Sequence, residues 1–214
     1  MLDIQMHPKI APSIKSVSAI LAMATIIASV FVAYHANGSP FSTVKVAVLR
    51  DYGGTTFADI RNFELWRLIT AQNIHVKQGH MLYNAICLLL VGGLVESKIG
   101  PARVLVIWLF AGGLATYVSP IGVEAPWNVG TGASQAVFAL AAAVLVLIFY
   151  REVERMRGGI LVAFALIPGL ALDFMTAGYP KPGHAVALCL GGLLGLLFHH
   201  RARSRHGAPT IGEA

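Results

Sequence analysis

Long uncharged runs separated by short polar stretches dominate the chain. Six of them, over residues 16–34, 79–95, 104–118, 130–150, 159–177 and 183–198, reach or approach the roughly 20 apolar residues that a helix needs to cross a bilayer. Between the first two runs, residues 36–78 mix charged and apolar positions, and Trp66 stands beside Arg67. That mixture predicts a structured surface loop with short helices lying in the membrane interface. No repeat, low-complexity tract or interdomain linker breaks the order.

Composition supports the same class: 56% of residues are hydrophobic and 12% charged, against about one-quarter charged in soluble domains. The net charge of +6 raises the question of nucleic acid. Most Lys and Arg sit at the ends of apolar runs, however, where a membrane chain needs them, so the expected partner is the lipid bilayer and not nucleic acid. Cys87 and Cys189 both fall inside apolar runs and read as small buried hydrophobes. The first run exceeds the about 7–15 residues of a secretory signal, which predicts a retained helix.

Lys and Arg in short flanks favour the cytoplasm. Lys9 and Lys15, Lys98 and Arg103, Arg151, Arg155 and Arg157, and Arg201, Arg203 and Arg205 mark one side, which places both termini inside. The expected layout is a cytoplasmic segment over 1–15, a six-helix membrane domain over 16–200 and a basic cytoplasmic tail over 201–214. In that topology helices two, four and six all start at the outer face, so their early residues share one depth. A bacterial inner membrane is the expected location.

The polar residues at that depth are His80 and Asn84 on helix two, Ser134 on helix four and His184 on helix six. Each is costly inside a bilayer unless it faces another polar group or a wet cavity, so each is a functional candidate. His80 and Asn84 are four apart and share a helix face. Ser134 offers a nucleophile, His184 a base, and His80 and Asn84 hydrogen bonds for an oxyanion, which is the minimum set for acyl transfer. Gly132 and Ala133 leave room for a substrate backbone. No Asp or Glu is expected at this depth, so a Ser-His dyad is expected without a third member. Asp173, late in helix five, reads as a residue snorkelling to the outer surface in preference to one serving substrate access.

These residues resemble the rhomboid intramembrane serine proteases. The shared motifs are WR at Trp66 and Arg67, H-x-x-x-x-H-x-x-x-N at His75, His80 and Asn84, G-x-S at Gly132 and Ser134, and the sixth-helix His184. The resemblance implies Ser134 as nucleophile, His184 as general base, and an oxyanion hole of His80, Asn84 and the Ser134 backbone N–H. It implies transmembrane proteins as substrates, an interfacial role for Trp66 and Arg67, and a structural place for His75 near the interface. Two departures stand out. Gln135 follows the serine where many rhomboids have glycine, and Ala187 stands where the sixth helix often has its first glycine, although Gly191 is kept as a packing residue.

The bland alternatives are a small residue at a helix contact for Ser134, a mutual polar clamp for His80 and Asn84, and ordinary interfacial belt residues for Trp66 and Arg67. His199 and His200, beside three arginines, read as an anchor to anionic lipid; a metal site lacks a grouped third ligand. No cofactor is implied. Glycines and prolines over 178–183 form either a mobile cap or a tight turn. The competing functions are a non-catalytic rhomboid-like protein that binds membrane clients and a small transporter, which would show broken helices or an internal repeat.

Overall fold

The computed structural model describes residues 16–206, with the backbone alone at 176–177 and 202–206. Lys9, Lys15 and the end of the basic tail lie outside the described residues. Nine helices follow one another there: α1 (Val17–Asn37), the short α2 (Val46–Leu49), α3 (Phe57–Arg61) and α4 (Arg67–Thr70), then α5 (Gln78–Ile99), α6 (Pro101–Val118), α7 (Ser134–Phe149), α8 (Arg155–Ala177) and α9 (Pro182–His206). Among the described residues there is no strand, only an isolated antiparallel bridge between Thr55 and Gly130. Helices α1, α5, α6, α8 and α9 are long and apolar enough to cross a membrane; α7, with 16 residues, is the shorter sixth. The chain is a multi-pass, all-helical membrane protein.

Helix α7 is the centre of the bundle. Its residues from Ser134 to Val144 are all buried, as expected of a helix that is apolar on every side. It packs most extensively on α9, then on α8 and α6. Glycines make the α7–α9 approach possible: Gly191 lies against the Ala139 backbone, and a Cβ on Gly195 would come 3.0 Å from Ala143 Cα. With little hydrophobic force between helices in lipid, such small-residue contacts supply the association through van der Waals packing.

The run predicted over 130–150 becomes helical only at Ser134. Gly130 is held in the bridge to Thr55, the Gly132 N–H bonds Ala71 O at 2.8 Å, and Gly132 takes φ +95°, a conformation that residues with a Cβ rarely adopt. The helix is therefore about 24 Å long, shorter than the about 30 Å hydrocarbon layer, and its first residue starts inside the bundle.

The stretch between α1 and α5 is more than a surface loop. Val44, Leu49 and Ile74 form a small buried core with Val32 and Ala33 of α1. Buried Asp59 closes a capping box with Thr56 at the start of α3 and accepts from Arg50 Nη2 at 2.7 Å. Arg67 binds Glu64 Oε2 at 2.6 Å and the carbonyls of Arg50 and Gly54, with its guanidinium 4.6 Å from the Trp66 ring centre. Phe63, Leu65, Trp66 and Ile69 stay exposed, an apolar rim suited to the membrane interface.

Glu96, near the end of α5, accepts from the N–H groups of Val17 and Ser18 at 3.0 and 2.9 Å. It thereby satisfies the first turn of α1, whose own sequence lacks an acidic residue there. Two sequence expectations are corrected at the helix surfaces. Cys189 is exposed on α9, while Cys87 is buried. His199 is buried too, stacked on Tyr150 with ring centres 4.2 Å apart, because α9 continues past residue 198 and packs its extra turn against the end of α7. A stacked, buried ring does not serve as a lipid anchor.

Candidate active site

Ser134 is the first residue of α7, and its Oγ lies 3.1 Å from His184 Nε2 on α9. Both side chains are buried. The α7–α9 glycine contacts set this distance, since His184 is almost two turns of helix, on the same face, before Gly191. Phe138 stands one turn after Ser134 and stacks on His184, ring centres 4.0 Å apart and planes 14° off parallel. Its other side meets Gly169 of α8, where a Cβ would come 2.7 Å from Phe138 Cε2. The ring of His184 is thus held from one side by an aromatic wall. The position of Phe138, four residues after the serine, was the available signal for it.

On its far side His184 meets Asp173 of α8: Nδ1 and Oδ2 are 2.6 Å apart. Asp173 is 1% exposed and also accepts the Lys181 backbone N–H at 3.0 Å, with Lys181 Nζ 3.7 Å from Oδ1. This corrects two expectations. Asp173 does not snorkel outward, and an acidic residue does reach the depth of His184. The reason is geometric: the helix pair α8–α9 turns back through residues 178–181, with Gly178 at φ +78°, and this turn is pinned to the carboxylate.

His75 holds the opposite wall. It is buried and joins three elements. Its Nε2 accepts from the Ala133 N–H and from Asn84 Nδ2, both at 3.2 Å, and so carries the lone pair. Nδ1 therefore carries the hydrogen and donates to Ser29 Oγ at 3.0 Å, which in turn donates to Asn73 O at 2.9 Å. One imidazole fixes the residue before Ser134 to α5 and α1. Asn84 is thus tied to the Ser134 segment through His75, while His80 is half-buried, its ring 5.7 Å from His75 and 6.5 Å from Tyr83.

Burial, with a smaller contribution from nearby His80, pushes the His75 pKa down from 6.5 to about 3. A base with a lowered folded pKa stays neutral in the fold while the unfolded chain gains a proton below about 6.5, so stability is lost as pH falls through that window. The unfolding temperature in detergent should drop between pH 7.5 and 5. In His75→Asn it should be lower at pH 7.5 and should depend less on pH.

Gln135 is buried and does not crowd the serine; it adds polar contacts. Its Oε1 lies 3.2 Å from Ser134 Oγ, and its Nε2 donates to Ser119 Oγ at 3.1 Å. The serine hydroxyl therefore has two acceptors within reach, Gln135 Oε1 and His184 Nε2.

The fold and the site together define a polytopic membrane protein with a buried serine-histidine pair at the start of a short central helix. A Rhomboid domain match covers residues 62–201, and the chain belongs to the rhomboid family. It is 28% identical over 151 residues to a putative rhomboid protease, YdcA, of Bacillus subtilis (strain 168), covering 69% of this chain and 74% of that one. It is 29% identical over 177 residues to the rhomboid protease GluP of the same organism, covering 82% of this chain and 32% of GluP. An inactive RHOMBOID-like protein 8 of Arabidopsis thaliana is 28% identical over 108 residues, half of this chain and 30% of that one. The chain therefore spans about a third of GluP and less than a third of the Arabidopsis protein.

Proposed function

We propose that the protein is an intramembrane serine endopeptidase that hydrolyses peptide bonds in or near transmembrane segments of other membrane proteins. The observation that carries this reading is the 3.1 Å separation of Ser134 Oγ and His184 Nε2 inside the bundle. In the proposed reaction Ser134 Oγ attacks the scissile carbonyl as its proton passes to His184 Nε2. The oxyanion is met by the Ser134 N–H, which sits in the first turn of α7 and has no intrahelical acceptor, with His80 and Asn84 as further donors. His184 then gives the proton to the leaving amine, and water, activated by the same ring, releases the acid from Ser134.

A helical substrate has its carbonyls already bonded, so it must unwind locally to be cut, which favours small or helix-breaking residues near the cleavage point. The domain layout follows the charge pattern: both termini in the cytoplasm, residues 16–200 as the membrane domain, and the site opening outward in a bacterial plasma membrane. Gln135 favours one second reading, a client-binding protein without catalysis, because its Oε1 competes for the serine hydroxyl.

The two readings separate on fluorophosphonate labelling of the detergent-solubilised protein. The protease reading expects labelling of the wild type that is lost in Ser134→Ala and His184→Ala at unchanged unfolding temperature. Labelling absent from the wild type, but restored by Gln135→Gly, would favour client binding.

A further inference from the structure

The sequence predicts a Ser-His dyad without a third member, yet α8 delivers a buried carboxylate to the histidine's second nitrogen. We infer that Asp173 is a positioning residue of the reaction, holding His184 in the tautomer and orientation that Ser134 requires, so that the site works as Ser134–His184–Asp173. This rests on the protease reading above.

Hydrogen-bond valence fixes the tautomer of His184. A carboxylate only accepts, so the 2.6 Å contact places the ring hydrogen on Nδ1. Nε2 is then the lone pair, and it is the nitrogen that faces Ser134 Oγ at 3.1 Å. Without the carboxylate, either ring nitrogen can carry the hydrogen, and the Nε2–H form cannot take the serine proton. Stacking on Phe138 fixes the plane of the ring but not its tautomer. Orientation of the carboxylate is in turn secured by the Lys181 N–H on Oδ2, the same oxygen that faces His184.

The proton inventory closes within these residues. As Ser134 Oγ bonds to the substrate carbon, its proton moves to Nε2 and the ring becomes a cation, with its Nδ1 hydrogen still shared toward Asp173. The buried charge of the imidazolium is balanced by the carboxylate, which itself gains no proton. Collapse of the tetrahedral intermediate breaks the C–N bond, sends the Nε2 proton to the amine and returns the ring to neutrality. The charged or titratable groups around the ring are Asp173 from α8, Lys181 from the turn before α9 and His80 from α5; α7 presents only uncharged Ser134, Gln135 and Phe138.

A merely structural Asp173 would pin the α8–α9 turn through the Lys181 N–H and do nothing to the ring. The two roles part in the pH profile of fluorophosphonate labelling of Ser134. In Asp173→Asn, whose amide can donate to Nδ1 and favour the wrong tautomer, the labelling rate at pH 7.5 should fall by about 10²–10⁴-fold. The acidic limb of the profile should also move to lower pH, since the imidazolium loses its counter-charge. Asp173→Glu should recover at least about tenfold over the amide variant, by restoring an acceptor-only group. Labelling of Asp173→Asn within twofold of the wild type, with an unmoved limb, would overturn the proposal.

Ring-¹⁵N histidine spectra of the wild-type protein in detergent give a readout that needs neither a folded Asp173 variant nor activity. Above its titration, the resonance lost in His184→Ala should report hydrogen on Nδ1 and none on Nε2. A ring hydrogen on Nε2 would overturn the proposal even if every Asp173 variant failed to fold. A wild type that shows the Nδ1–H tautomer but never labels would remove the protease reading and leave the Asp173–His184 pairing standing.

Discussion

Peptide-bond hydrolysis by His184→Ala should fall by about 10⁴-fold, while the helical content and unfolding temperature stay near the wild type. Each proton transfer by a positioned group contributes about 10²–10⁴ in rate, and the proposed mechanism gives His184 two of them, from Ser134 and to the leaving amine. Residues that act as one unit are non-additive, so adding Ser134→Ala to His184→Ala should cost almost nothing further. That non-additivity is the sharper check. If the double variant, assayed on a transmembrane substrate in liposomes, were a further hundredfold slower than either single one, the two side chains would be acting independently. The fold should survive because the ring is held by stacking on Phe138 and by one carboxylate, and the turn that Asp173 pins keeps its Lys181 N–H bond without it.

Gly191→Val should be the most destabilising single change in the bundle. A Cβ there would overlap the O, Cα and C atoms of Ala139, all backbone, so no flexible side-chain end can swing away. The α7–α9 axes must separate instead, and a close-packed interior resists this. Overpacking of this kind costs about 3 kcal/mol or more, equivalent to an unfolding temperature lower by about 10 °C in a chain of this size. Separation of the helices also pulls Ser134 away from His184, so fluorophosphonate labelling should fall with stability. Gly192→Val is the control: nothing lies within 4 Å of a Cβ at Gly192, and the unfolding temperature should shift by less than a third as much. Equal losses at the two positions would show that the α7–α9 contact is not what sets the site.

The comparison between adjacent glycines illustrates what is and is not legible in the sequence. The six apolar runs gave the spans because a bilayer demands about 20 apolar residues per crossing, a rule that acts locally on the chain. The candidate chemistry was legible for a related reason: polar residues inside a span are costly, so Ser134, His184, His80 and Asn84 stand out against their surroundings. Helix register then predicted their common depth. Nothing local distinguishes Gly191 from Gly192, however, because which face of α9 meets α7 depends on all the other helices.

The same limit applies to Asp173 and His75. Asp173 lies near the end of a span, where a charged residue ordinarily reaches for water; only the turn between α8 and α9 and the rotation of α8 aim it at His184 instead. His75 sits outside any apolar run, and its three hydrogen-bonding partners come from α1, α5 and the segment before α7, far apart in sequence, so no local signal reveals them. The start of α7 at Ser134 depends on Thr55 and Ala71 holding Gly130 and Gly132 out of the helix. The amino-acid sequence by itself therefore determined the membrane class, the six long apolar segments and the serine-histidine candidates, because hydrophobic length and the cost of buried polarity are properties of short segments. The tertiary structure alone decided that a carboxylate completes the histidine's hydrogen bonds and that a second histidine braces the serine, because those contacts depend on helix rotation, and rotation is settled only when all the helices pack together.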